Sequence, residues 1–156
     1  EAGASRAAMR EGLCSFRAIV HRVEPVREVD GVLWINDSKS TNVTSTAVAI
    51  AALDRPFVLL LGGRHKGEPY TRLADAMQGR CRAVVAFGES GDQVERDLQG
   101  RVTVTRADTF EAVVASARAL ARPGDAVLLS PACSSYDMFD NYEQRGATFR
   151  ALVEAL

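Results

Sequence analysis

The sequence predicts an α/β domain of the Rossmann-like kind: a mainly parallel sheet, helices on both faces, and an antiparallel hairpin at the N-terminal edge. Three observations predict it. Phe57–Leu61, Ala83–Phe87 and Ala126–Leu129 are short unbroken apolar runs, the mark of strands buried on both faces. Helical periodicity fills the gaps between them, so the connections are crossovers and the strands run parallel. Val23–Val29 and Val32–Ile35 flank Asp30-Gly31, a strong hairpin pair.

Taken in order, residues 1–12 read as a short helix stopped by Gly12, with no apolar partner of its own. The hairpin follows. A polar stretch from Asn36 to Thr46 leads into an apolar helix ending near Leu53. The Phe57–Leu61 strand runs into Gly62-Gly63, and a helix is expected over Tyr70–Met77. After the Ala83–Phe87 strand come a helix at Asp92–Leu98 and a short strand at Val102–Val104. Thr109–Ala121 is amphipathic, with Phe110, Val113, Val114, Ala117 and Leu120 on one face, and Pro123-Gly124 ends it. The strand Ala126–Leu129 and a mostly helical segment from Phe139 to Leu156 complete the chain.

The chain has 156 residues and a formal net charge of -1. That is one domain's length, with enough apolar residues for a core. The near-neutral balance gives no electrostatic reason to expect nucleic acid or an anionic membrane. No apolar run approaches a membrane span, and the first 22 residues hold no signal-peptide core. Cys14, Cys81 and Cys133 fit neither a disulfide framework nor a zinc site, so a cytoplasmic compartment is expected. Glu1-Ala2-Gly3-Ala4 reads as a cut end. Residues 1–14 are expected to be a linker or the tail of a preceding domain, with the domain itself at 15–156.

Ligands of such a sheet bind beyond the carboxyl ends of its strands, and three polar segments directly follow strands. Asn36–Asn42 carries hydroxyls, a carboxylate and Lys39 ahead of a helix, an arrangement that favours an anion; simple N-capping is the plainer reading. Gly62–Gly67 places Lys66 on a glycine-rich turn, either to hold a carboxylate or phosphate or merely solvated. Of the 19 basic residues only Lys39 and Lys66 are lysine, which draws attention to both turns. Ser130–Asp137 adds hydroxyls, with Asp137 as a candidate cap. Cys133 reads as a small buried cysteine rather than a nucleophile. Asn141–Gly146 reads otherwise as a solvated helix face with Arg145 paired to a carboxylate. His21 and His65 form no metal pair, and no metal ligands are expected. Trp34 and Phe57 read as core. A P-loop and a G-x-G-x-x-G fingerprint are both missing from the chain.

W-I-N-D-S-K-S-T-N (34–42), L-L-L-G-G-R-H-K-G (59–67) and L-L-S-P-A-C-S-S-Y-D-M-F-D-N-Y-E-Q-R-G (128–146) occur in that order. Together they resemble the C-terminal domain of the Mur ligases, in particular the branch that adds D-glutamate to UDP-N-acetylmuramoyl-L-alanine in peptidoglycan synthesis. The resemblance covers about Ser15 to Leu156. It implies a three-domain enzyme: a UDP-nucleotide domain, a central P-loop ATPase, and the domain seen here. It implies that ATP phosphorylates a carboxylate and that the amine of D-glutamate attacks the acyl phosphate. ATP and magnesium are the implied cofactors, bound mainly by the central domain, so the fragment alone is expected to be inactive.

Carried over residue by residue, the resemblance implies D-glutamate binding by Thr41, Lys66, Ser135 and Tyr142. It implies ATP contacts from Arg22 and Asp37, with Lys39 near the phosphate end. Asn36, Ser38, Asn42, Gly62 and Gly63 are implied to shape the loops. Two positions depart from the family pattern. Tyr142 stands where Phe is frequent, and His65 where an acidic residue is common. The alternatives are a stand-alone Rossmann-like module for a nucleotide or amino acid, and a related amide ligase with another acceptor. Preference among D-glutamate, L-glutamate and diaminopimelate separates the readings.

Overall fold

A computed structural model describes residue 3, residues 5–15 and residues 19–156; the side chains of residues 12–15 are outside it, Cys14 among them. Helix α1 is Arg6–Ser15, and its residues 6–11 are exposed. It continues through Gly12, where the sequence predicted a stop. A glycine inside a helix costs about 1 kcal/mol relative to alanine and does not by itself end it.

Strands β1 (Glu24–Val29) and β2 (Val32–Asn36) form the expected antiparallel hairpin. Pro25 is tolerated because β1 is an edge strand. The strand starts one residue later than predicted, because Val23 has φ +42° and gives its N–H to Asp37 Oδ1 at 3.1 Å. The chain then passes through α2 (Val43–Ala51), β3 (Phe57–Gly62), a 3-10 turn (Tyr70–Leu73), α3 (Ala74–Met77) and β4 (Cys81–Phe87). It continues with α4 (Gly91–Leu98), β5 (Val104–Ala107), α5 (Phe110–Leu120), β6 (Ala126–Leu129) and α6 (Tyr142–Glu154).

The six strands are ordered β1-β2-β6-β3-β4-β5, and every pairing except β1 with β2 is parallel. Alternation along β3 explains the two layers. Phe57, Leu59 and Leu61 face a core shared with Val43 and Ile50 of α2, Leu73, and Val94 and Leu98 of α4. Val58 and Leu60 face Val113 and Ala117 of α5 and Phe149 and Val153 of α6. Each fully buried leucine of this strand stabilises the fold by about 1.5–3 kcal/mol.

Two predicted elements shift. The Val102–Val104 strand lies instead at Val104–Ala107, paired from Val84↔Val104 to Phe87↔Ala107. An edge strand tolerates Thr105 and Arg106, which hides it from an apolar pattern. The Tyr70–Met77 helix divides into the 3-10 turn and a single α turn.

Candidate functional site

Because β2, β6 and β3 are adjacent and parallel, the loops leaving them meet at one edge of the sheet. Backbone bonds join them. The Asp37 N–H donates to Leu129 O (2.8 Å), the Gly62 N–H to Pro131 O (3.0 Å), and the Ala132 N–H to Ser40 O (3.0 Å). Two glycines make this closeness feasible. A Cβ on Gly62 (φ +146°) would sit 2.0 Å from Phe87 O, and one on Gly63 (φ +131°) would sit 2.3 Å from Ser134 O.

Along the first loop, Asn36 is fully buried. Its Nδ2 donates to Gly146 O at 3.2 Å and lies 2.9 Å from His21 Nδ1, and its Oδ1 accepts from the Ser38 N–H at 3.2 Å. Asp37 is 1% exposed. Its Oδ1 accepts from the Val23 N–H, and its Oδ2 from Ser130 Oγ at 2.7 Å. Burial pushes this carboxyl above the usual carboxylate range; bonds from Ser40, Ser130 and Val23 and the charge of Arg22 offset part of that rise. Asn42 caps α2, accepting from the Ser45 N–H at 2.8 Å.

Lys39 links this loop to α6. Its Nζ donates to the Tyr142 hydroxyl at 3.3 Å and lies 5.4 Å from the centre of that ring. Ser38 Oγ donates to Tyr142 O at 2.8 Å, and His21 meets the Tyr142 ring edge-on. Arg22 is exposed. It forms, with Val23, Asp37, Ser40, Thr44, Ser45, Val48 and Ala49, a groove of about 230 Å³. The groove has an apolar floor and a cation at its rim.

Lys66 is exposed, Thr41 is half-buried and Ser135 is 2% exposed. No hydrogen bond joins these three side chains to one another or to Tyr142. Their loops are nevertheless tied: the Arg64 N–H donates to Ser134 O at 2.9 Å, and Ser134 Oγ to Arg64 O at 3.2 Å. Asp137 does not cap α6. Asn141 does, accepting from the Gln144 N–H at 2.7 Å, because the helix begins only at Tyr142. Asp137 Oδ2 instead accepts from the Glu89 N–H at 3.0 Å, beyond β4.

The largest departure is Arg145. It has no carboxylate partner and no solvent: it is fully buried at the meeting point of the loops. Its Nε donates to Ser38 Oγ (2.9 Å), one terminal nitrogen to Ser38 O (2.9 Å), and both terminal nitrogens to Cys133 O (3.3 Å). Burial lowers its pKa to about 10, so it remains charged at neutral pH. The helical wheel of α6 puts Arg145 in line with Phe149 and Val153, an i, i+4, i+8 series of buried positions, and that spacing was the missed signal. Gly146 is the companion sign, since a Cβ there would sit 2.3 Å from the His21 ring. Cys133 is fully buried, and burial pushes its thiol up, as expected of an unreactive cysteine.

His21 (φ +63°), Val23 (φ +42°) and Ala132 (φ +57°) adopt left-handed backbone around this edge. For a β-branched valine that conformation is strained. Among the described residues no group of three or more His, Cys, Asp or Glu could hold a metal ion, and no helix is long and apolar enough to cross a membrane.

Residues 21–133 match the family model described as "Mur ligase, glutamate ligase domain". The chain is 52% identical over 149 residues to the UDP-N-acetylmuramoylalanine--D-glutamate ligase of Salinibacter ruber, covering 95% of this chain and 32% of that protein. It is 45% identical to the ligase of the same name from Myxococcus xanthus, covering 99% of this chain and 34% of that protein. The chain thus spans about a third of the length of the curated relatives it matches. In fold it resembles the bifunctional folylpolyglutamate synthase/dihydrofolate synthase of Yersinia pestis, with TM-score 0.64, 16% identity, and coverage of 96% of this chain and 34% of that one. It also resembles the MurF ligase of Thermotoga maritima, solved with ADP, with TM-score 0.60, 19% identity, and coverage of 92% and 33%.

Proposed function

The chain belongs to the Mur ligase family, as its glutamate ligase domain, and from that premise we propose that it is the D-glutamate-binding part of a ligase acting on UDP-N-acetylmuramoyl-L-alanine. The observation that carries the reading is the convergence of three polar loops on one sheet edge, with Lys66 as an exposed cation there. Relatives of 52% and 45% identity that bear the D-glutamate ligase name support the choice of acceptor.

In this reading the Lys66 ammonium pairs with a carboxylate of D-glutamate, and Thr41 and Ser135 supply hydroxyls. Tyr142 flanks the amino acid and, through Lys39, connects it to the phosphate end. ATP fits the groove beside Arg22: the guanidinium suits phosphates, and Val48 and Ala49 offer apolar surface. Asp37 would reach the nucleotide with lone pairs left over from its bonds to Val23 and Ser130. ATP supplies the phosphoryl group that turns the muramoyl-alanine carboxylate into an acyl phosphate. The residues of this edge hold the amine donor and keep it oriented towards that carbon. Among the described residues no cluster of three or more His, Cys, Asp or Glu could cage magnesium; in this reading magnesium, the P-loop and the UDP nucleotide belong to the region that precedes this domain in the longer protein, residues 1–14 being the linker or tail that leads in. A cytoplasmic location accords with these substrates.

Steady-state kinetics of the longer ligase test the assignment. Lys66→Ala removes one charge-assisted contact, so the KM for D-glutamate should rise about 30-fold, with the KM for ATP little changed. An unchanged D-glutamate KM would remove Lys66 from the acceptor site.

A further inference from the structure

Four side chains form a polar line through the core that the proposed chemistry does not use. His65 Nδ1 lies 3.3 Å from the Tyr70 hydroxyl, with the two rings 5.2 Å apart. The Tyr70 hydroxyl lies 2.6 Å from Cys133 Sγ, and Cys133 Sγ is 3.7 Å from Ser90 Oγ. One donor order satisfies the whole line: His65 N–H to Tyr70 O, Tyr70 O–H to Cys133 S, and Cys133 S–H to Ser90 O.

The ends of the line give it meaning. His65 directly precedes Lys66. Cys133 lies two residues before Ser135, and its carbonyl is held by Arg145. Ser90 stands at the start of α4, and its N–H donates to Gly63 O at 3.0 Å. Tyr70 itself is fully buried, and its N–H donates to Asp97 Oδ2 of α4 at 2.8 Å. The hydroxyl is therefore fixed by an anchored backbone on one side and meets both acceptor loops on the other. A buried hydroxyl in a hydrocarbon core costs stability unless it is bonded, and this one is bonded to both loops.

We propose that Tyr70 is a positioning residue for the acceptor site, holding the Lys66 turn and the Ser135 loop at a fixed separation through His65 and Cys133. The inference rests on the assignment of Lys66 and Ser135 to D-glutamate. Direct bonds already tie these loops at Gly62 and Arg64, on the strand side of the turn; the line through Tyr70 adds a side-chain tie at His65, the residue next to Lys66.

The test is steady-state kinetics of the longer ligase, with ATP and D-glutamate varied separately. Tyr70→Phe removes only the hydroxyl. It should raise the D-glutamate KM about five- to tenfold, with kcat and the ATP KM within about twofold. Cys133→Ala should do the same, and Cys133→Ser, which keeps a bonding group, should restore most of the loss. His65→Leu, at the half-exposed end, gives the same comparison should Tyr70→Phe not fold. An unchanged D-glutamate KM in the folded variants, an equal rise in both KM values, or Cys133→Ser no better than Cys133→Ala would overturn the inference. An unsubstituted ligase indifferent to D-glutamate would reject the functional assignment and this inference with it. A responsive ligase whose variants keep their D-glutamate KM rejects the inference alone.

Discussion

Arg145 is a buried cation with neutral partners. Its three acceptors, Ser38 Oγ, Ser38 O and Cys133 O, belong to two different loops. Removing the guanidinium strands them in the interior. Arg145→Met should therefore cost about 3 kcal/mol or more in a denaturant titration, despite its similar length and apolar character. A loss below about 1 kcal/mol would mean that the loops hold together without it. Asp37 makes the opposite kind of prediction. Its carboxyl is raised in the folded state, chiefly by burial. The folded protein then binds more protons than the unfolded chain above the ordinary carboxylate range, and stability falls as pH rises through that window. Asp37→Asn keeps the shape without the charge. The variant should match the wild type near pH 4 and be the more stable of the two near neutrality, about pH 7. Measured stabilities that diverge in the other direction would show that the bonds to Val23 and Ser130 outweigh the burial.

At the scale of elements, two asparagine caps hold the helices that frame the site: Asn42 on α2 and Asn141 on α6. Asn42→Ala should destabilise by about 1 kcal/mol, with unfolding monitored by circular dichroism. Gly146→Ala should cost more, because the new Cβ would press on the His21 ring and that ring abuts Asn36 and Tyr142. The central strands were legible in the sequence because burial on both faces leaves an unbroken apolar run; Ala126–Leu129 has the same limits in both readings. Strand β5 was not, since an edge position makes few demands on Thr105 and Arg106. The loops bearing Asn36–Asn42 and Gly62–Gly67 stood out through residue types that a structural turn does not need. Arg145 did not stand out: a charged side chain on a helix reads as solvated unless its three acceptors are seen, and those come from residues over 100 and 12 positions away. The line from His65 to Cys133 escaped for the same reason, since hydrogen bonds between distant segments leave no periodicity.

For the whole molecule, the sheet order brings β2, β6 and β3 side by side, so one edge collects every loop with unusual chemistry. That edge faces out of the domain, with Lys66, Arg22 and the groove along α2 open to whatever docks there. In the proposed reading such an arrangement is half of a site. The chain alone should not hydrolyse ATP, since it lacks the phosphate-cradling loop; turnover by the purified domain that disappears with Lys39→Ala would contradict this. On the proposed function, docking onto a preceding domain would exclude water from the acyl phosphate and complete the proposed nucleotide contacts.

Acceptor choice tests the proposed function most directly. The longer ligase would be supplied with ATP and UDP-N-acetylmuramoyl-L-alanine, and phosphate release measured with D-glutamate, L-glutamate or diaminopimelate. Turnover is expected with D-glutamate, and kcat/KM for the L isomer and diaminopimelate should be lower by at least about 100-fold. Equal or better turnover with either competitor would contradict it and assign the Lys66 edge to a different acceptor.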